Sequence, residues 1–104
     1  MGKDGPSELS IRETAHTLAR YGAICQEHGL VPIIEPEILP DGDHDVHACA
    51  EASERVLTAV MKEMFLQNLL IEGCMLKPNM VTPGFGCSDR SSHGEIAWLT
   101  VRTL

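Results

Sequence analysis

Aromatic rings are scarce in this chain: one Trp, one Tyr and two Phe make up 4% of its 104 residues. A chain this short has much surface for its volume, and few rings are on hand to fill a self-sufficient core. One small domain is the most that the length allows. Basic residues are also few. Eight Lys and Arg stand against fifteen Asp and Glu, a formal net charge of -7. That balance argues against nucleic acid or an anionic membrane surface as a partner. It leaves room for a small anionic substrate, because a local pocket can be basic in an acidic protein. No apolar run approaches the roughly 20 residues that span a bilayer, and the opening stretch holds no apolar segment of the kind that directs secretion. Paired cysteines are missing too. Cys25, Cys49, Cys74 and Cys87 are unevenly spaced, with no C-x-x-C. Free thiols in a reducing compartment fit this pattern, so a cytoplasmic protein is expected. There is no P-loop, no G-x-G-x-x-G and no G-x-S-x-G.

What is present is an ordinary soluble composition, 43% hydrophobic and 22% charged, arranged in alternating periods. Ser7 can cap a helix, and Ile11, Ala15, Leu18, Gly22 and Cys25 then recur at helical steps up to a stop at Gly29. Leu30 to Ile34 is an apolar run without alternation, which suits a strand buried on both faces of a parallel sheet. Pro32 weakens that strand, since it has no N–H to give. A second helix is expected from Asp43 or Asp45, with Val46, Cys49, Ser53, Val56, Val60 and Met64 on one stripe and Leu57, Met61 and Phe65 widening it. Leu69 to Ile71 and Cys74 to Leu76 read as strand, interrupted by Gly73. Ser92 and Glu95 have capping-box spacing, and Ile96, Leu99 and Thr103 follow on one face. Helix, strand, helix, strand, helix implies parallel strands joined by right-handed crossovers. A repeat supports this. Ile33 to Leu39 and Met75 to Val81 share two apolar residues, a charge, Pro, a polar residue and two more apolar residues, 42 positions apart. Such a period suits successive units of an α/β barrel.

Each repeat ends its apolar run with a charge, Glu35 in the first and Lys77 in the second. Strand C-termini carry the chemistry of α/β barrels, and adjacent strands lie about 4.8 Å apart. The Lys77 amine is therefore expected within reach of Glu35 or Glu37. Burial would lower its pKa, and a neutral amine attacks a ketone to give an imine. A nearby carboxylate can then protonate the carbinolamine hydroxyl. Glu35 and Glu37 are expected to point to different sides, one to the amine and one to a neighbouring group. An ion pair at the rim, without chemistry, accounts for the same spacing. The acidic loop is less informative. Asp41, Asp43 and Asp45 resemble a calcium loop, but Val46 stands where Gly is needed and Ala52 where the closing Glu belongs. His44 and His47 could hold a metal, yet no matching ligand pair accompanies them, and helix capping explains the aspartates.

Two stretches resemble class I fructose-bisphosphate aldolase. They are Leu30-Val-Pro-Ile-Ile-Glu-Pro-Glu-Ile-Leu-Pro-Asp-Gly-Asp-His-Asp45 and Leu70-Ile-Glu-Gly-Cys-Met-Leu-Lys-Pro-Asn-Met-Val-Thr-Pro-Gly84. Leu18-Ala-Arg-Tyr-Gly-Ala-Ile-Cys-Gln26 is similar to the helix that precedes that family's glutamate strand. The resemblance implies a (β/α)8 TIM barrel that reversibly cleaves fructose 1,6-bisphosphate to dihydroxyacetone phosphate and glyceraldehyde 3-phosphate. It implies Lys77 as the Schiff-base lysine, Glu35 as the acid/base of imine formation and Glu37 beside the site. It implies no metal or other cofactor, a sugar phosphate as substrate, no nucleic-acid or membrane partner, and a homotetramer. A complete barrel takes about 250 residues. Residues 1–104 are accordingly expected to form one incomplete domain, two βα units plus a preceding helix. The family's phosphate-binding residues have no matching positions here. Weak or no activity is expected of the chain alone. A catalytically dead piece that binds a partner, or another Schiff-base barrel lyase of the transaldolase kind, are the alternatives.

Overall fold

Ser7 adopts extended backbone, and its Oγ accepts a hydrogen bond from Ser10 N at 3.1 Å. This satisfies one of the donors that a helix start leaves free. In the computed structural model, which describes residues 1–104, helix α1 then runs over Glu8–Glu27. It ends as the sequence predicts. Gly29 takes φ +74°, its N–H donates to Gln26 O, and Leu30 N donates to Cys25 O. This is a Schellman closure, which favours a residue without Cβ. Helix α2, Val46–Leu66, starts at Asp45, whose Oδ1 accepts from Ala48 N at 2.8 Å. It closes in the same way as α1. Asn68, at φ +57°, replaces glycine, and Leu69 N donates to Met64 O at 3.0 Å.

Two short parallel strands complete the frame: β1, Ile33–Ile34, and β2, Met75–Leu76. They pair in register Ile33 with Met75 and Ile34 with Leu76. Met75 N donates to Pro32 O at 3.0 Å and Lys77 N to Ile34 O at 2.8 Å. Pro32 is tolerated because it stands at the strand entrance and contributes only its carbonyl. Helix α3, His93–Thr103, is capped by Ser92, whose Oγ accepts from Glu95 N. The Glu95 carboxylate lies 3.6 Å from His47 Nε2.

Three expectations are corrected here. Leu69 to Ile71 is not strand. The Leu70 peptide is taken on both sides by the Gln26 side chain, Leu70 N donating to Oε1 and Nε2 donating to Leu70 O. A 3-10 turn, Ile71–Gly73, follows. Nor is β1 buried on both faces. Pro32, Ile34, Pro36 and Ile38 are buried, while Val31, Ile33, Glu35, Glu37 and Leu39 are exposed. The first set packs towards the helices. Nothing among the 104 residues covers the second. Phe65, placed on the buried stripe of α2, is exposed, because that stripe ends on Met64.

The core is a cluster of 15 buried residues drawn from all three helices, from Ile34 and Ile38 of the strand region, and from Leu69 and Val81 on either side of β2. Val46, Cys49, Ser53, Val56, Val60 and Met64 are all buried, as their spacing predicts. Gly22 lets α1 approach the strands: a Cβ there would meet Leu69 Cδ2 at 2.6 Å and Ile34 Cδ1 at 3.2 Å. The segments beyond the strands are laced together. Gly84 N donates to His44 O, Phe85 N to Pro40 O and Gly86 N to Gly42 O, all at 2.8 to 2.9 Å. The result is a small helix-rich α/β piece around a two-stranded parallel sheet, 46 × 28 × 17 Å in extent. None of its helices is long and apolar enough to cross a membrane.

Adjacent residues of β1 give the sharpest test of this arrangement. Ile34 is fully buried and Ile33 is 43% exposed. Ile34→Ala is expected to cost about 2 to 5 kcal/mol, the range for a buried large-to-small change, and Ile33→Ala less than half as much. Urea unfolding of the 104-residue chain, followed by circular dichroism, measures both. Equal losses would mean that the faces are assigned wrongly.

Candidate active site

The register of the sheet fixes the neighbours of the strand ends. Ile34 lies opposite Leu76, so the next residues along, Glu35 and Lys77, emerge side by side. Lys77 Nζ donates to Glu35 Oε2 at 2.6 Å. Both side chains are on the open face of the sheet, 69% exposed for Lys77 and 55% for Glu35. With Glu37, Pro78 and Asn79 they line a shallow cavity of about 210 Å³.

Glu35 and Glu37 do not diverge as expected. Successive side chains of an extended chain point to opposite faces, so residues two apart share a face. The alternation of burial from Val31 to Ile38 follows that rule. Both carboxylates border the same cavity as Lys77. The structure therefore brings together one amine and two acids, with Glu35 in direct contact.

The expected depression of the lysine pKa is also corrected. The hydrogen bond to Glu35 and the charge of that carboxylate hold the Lys77 amine above its ordinary value, with Glu37 adding in the same direction. Desolvation pulls the other way and loses, because an exposed amine gives up little hydration. In this chain the pair is an ammonium beside carboxylates. The geometry can pass a proton between Nζ and Oε2, and it can attract an anion-bearing carbonyl compound to the ammonium.

Residues elsewhere fall into place around this centre. Asp45 is a helix cap. The ring of His44 packs between Gly42 and Gly84, and burial lowers its pKa. His47 faces Glu95 instead, so the two histidines share no ligand set. Asn79, given no task by the sequence reading, is the polar residue that this reading missed. Its partners lie 41, 30 and 26 positions away, and no local pattern reveals them.

Comparison with known proteins bears on this geometry. A family model described as glycolytic "Fructose-bisphosphate aldolase class-I" matches residues 1–104. Fructose-bisphosphate aldolase 1 of Toxoplasma gondii is 59% identical over 102 residues, covering 98% of this chain and 28% of that protein. Fructose-bisphosphate aldolase C-A of Danio rerio is 58% identical over 99 residues, covering 95% of this chain and 27% of that protein. A solved structure of fructose-bisphosphate aldolase from Plasmodium falciparum, in ternary complex with TRAP and a small-molecule inhibitor, superposes with a TM-score of 0.94 at 50% identity. That match covers 95% of this chain and 28% of the solved one. The chain thus spans little more than a quarter of the length of these relatives.

The ion pair predicts a titration. Glu35→Gln is expected to lower the Lys77 pKa towards its ordinary 10.5, read from the Lys77 side-chain NMR shifts against pH. An unchanged midpoint would show that Glu35 does not hold the amine. The sign for stability follows. A pKa raised by folding contributes stability that is full below 10.5 and is lost as pH climbs through the higher folded value. The contribution is small, because the pair is exposed.

Proposed function

The chain belongs to the class-I fructose-bisphosphate aldolase family, and from that premise we propose that Lys77 is its Schiff-base lysine and Glu35 the acid/base partner. The observation that carries this reading is the contact of Lys77 Nζ with Glu35 Oε2 at 2.6 Å, where two parallel strands end. The substrate is a ketose bisphosphate, fructose 1,6-bisphosphate, cleaved reversibly to dihydroxyacetone phosphate and glyceraldehyde 3-phosphate in glycolysis and gluconeogenesis.

The resting ammonium must first lose a proton, and Glu35 is placed to take it. The neutral amine then adds to the ketone carbon, a C–N bond forms, and a proton moves from the nitrogen to the carbonyl oxygen, which becomes the carbinolamine hydroxyl. The proton held on Glu35 passes to that hydroxyl, which leaves as water, and an iminium remains. One proton thus serves both steps, and Glu35 ends ionised beside a positive nitrogen. The iminium accepts the electron pair of the breaking carbon–carbon bond while a base of the assembled barrel takes the proton of the adjoining hydroxyl, which becomes the aldehyde of the second product. Glu37, on the same face, adds negative potential that favours the cationic intermediate.

This reading places residues 1–104 as one incomplete domain within a (β/α)8 barrel, supplying two of its strands. The assembled barrel, a cytoplasmic homotetramer, would enclose the cavity and desolvate the amine, lowering its pKa in the way that the open chain does not. The chain by itself is inactive or nearly so. A structural ion pair at the rim is the second reading, favoured by the raised pKa of Lys77.

Reductive trapping separates the two. Residues 1–104 replace the matching segment of the Toxoplasma gondii relative, and the chimaera is treated with dihydroxyacetone phosphate and borohydride, then mapped by peptide mass. The adduct is expected on Lys77. Lys77→Met abolishes it, and Glu35→Gln slows it by about 10²- to 10⁴-fold, the usual worth of a positioned acid/base. An adduct on another lysine, or labelling undiminished by both changes, leaves only the ion pair.

A further inference from the structure

The parallel ladder that aligns Glu35 with Lys77 stops at a proline. With Ile33 opposite Met75 and Ile34 opposite Leu76, donors on the first strand are the even residues, each bonding the carbonyl 41 positions later. After Ile34 the next donor would be Pro36, which has no N–H. The donor after that is Ile38, and its ladder acceptor would be the carbonyl of Asn79. Ile38 N does bond Asn79, but to the side-chain Oδ1, at 2.9 Å. The side-chain amide thus takes over the ladder position that its own backbone would have filled. Its Nδ2 donates to Ser53 Oγ at 3.3 Å, to Met80 O at 3.0 Å and to Cys49 Sγ at 3.9 Å. Ser53 is the one buried polar side chain of the core, and Asn79 is its partner.

We propose that Asn79 is a positioning residue for the Lys77–Glu35 pair, fixing the two strand ends against each other and against α2 after the proline breaks the ladder. The inference deepens the Schiff-base reading in its catalytic terms, but the geometry that it describes does not depend on that reading. Oδ1 holds the segment that carries Glu35 and Glu37, and Nδ2 ties the Lys77 segment to Ser53 and Cys49 of α2. A single planar amide spans three elements, so loss of it frees Glu35 to swing away from the amine. Aspartate keeps the Oδ1 acceptor for Ile38 and can accept from the Ser53 hydroxyl, which turns to donate, but it sets a carboxylate oxygen against the Met80 carbonyl. Asn79→Asp is therefore expected to retain the Ile38 bond and the tie to Ser53, and to lose the bond to Met80 O.

The test has two arms. In the 104-residue chain, Asn79→Ala is expected to speed exchange of the Ile38 amide by about two- to twelvefold, the equivalent of one ordinary hydrogen bond. It should also move the Lys77 titration down towards the Glu35→Gln value. Asn79→Asp should keep Ile38 protected, and it covers the case in which the alanine variant does not fold. Faster Ile38 exchange with an unmoved Lys77 titration would overturn the inference, making Asn79 a local brace. Slow exchange in the alanine variant would overturn it as well. In the chimaera, the second arm is a double-mutant cycle on the rate of borohydride trapping. Asn79→Ala should slow trapping about tenfold with Glu35 present and less than twofold in the Glu35→Gln background. Equal slowing in both backgrounds overturns the positioning role. Absence of trapping on Lys77 sinks the Schiff-base reading alone, and the first arm still decides the inference.

Discussion

The pairing of Ile33 with Met75 and Ile34 with Leu76 governs this molecule. Two hydrogen bonds, Met75 N to Pro32 O and Lys77 N to Ile34 O, set residues 42 positions apart side by side. From that register follows the contact between amine and carboxylate, the shared face of Glu35 and Glu37, and the takeover of the ladder by Asn79. A slip of one residue would send Lys77 to the helix side of the sheet and bring an apolar residue to the cavity. The helices secure the register from behind. Ile34 and Ile38 are buried in the core with α1 and α2, and Gly22 allows the approach because it has no Cβ to collide with Ile34 and Leu69.

Electrostatics then depend on how much of the cavity is covered. Lys77 carries opposing influences: its hydration shell against the two carboxylates. On the open face of a two-stranded sheet the carboxylates win and the amine keeps its proton. Imine chemistry needs that proton to leave. On the proposed reading, the contact with Glu35 would supply a route, and closure of the cavity by further strands would supply the driving force, since loss of water penalises the ammonium. Under the proposed Schiff-base reading, the ion pair of the open chain is the form that desolvation would convert to a reactive amine.

Much of this was legible in the sequence, for local reasons. Ser7, Asp45 and Ser92 announce their helices because capping involves residues three positions apart. The apolar stripe of α2 reads correctly as far as Met64, because its period is that of the helix. The repeat of apolar residues, charge and proline exposes the parallel pairing and so the meeting of Lys77 with Glu35. What failed was not local. Leu69 to Ile71 has strand composition, but Gln26, 44 positions earlier, occupies the Leu70 peptide. The facing of Glu35 and Glu37 was misjudged although period two settles it. The pKa of Lys77 was expected to fall because burial was assumed, and burial is a property of what packs on the face. Asn79 gave no signal, since its role depends on where Pro36 interrupts a ladder whose other half lies far along the chain.

The central claim is that the strand register holds the Lys77 amine against the Glu35 carboxylate. Zero-length carbodiimide coupling, followed by peptide mass mapping, tests it directly, because amide formation needs the two groups in contact. The expected product is a single Lys77–Glu35 isopeptide bond within one chain. Coupling of Lys77 to another carboxylate, or a Lys77 left free while other surface pairs couple, would contradict the register and everything that rests on it.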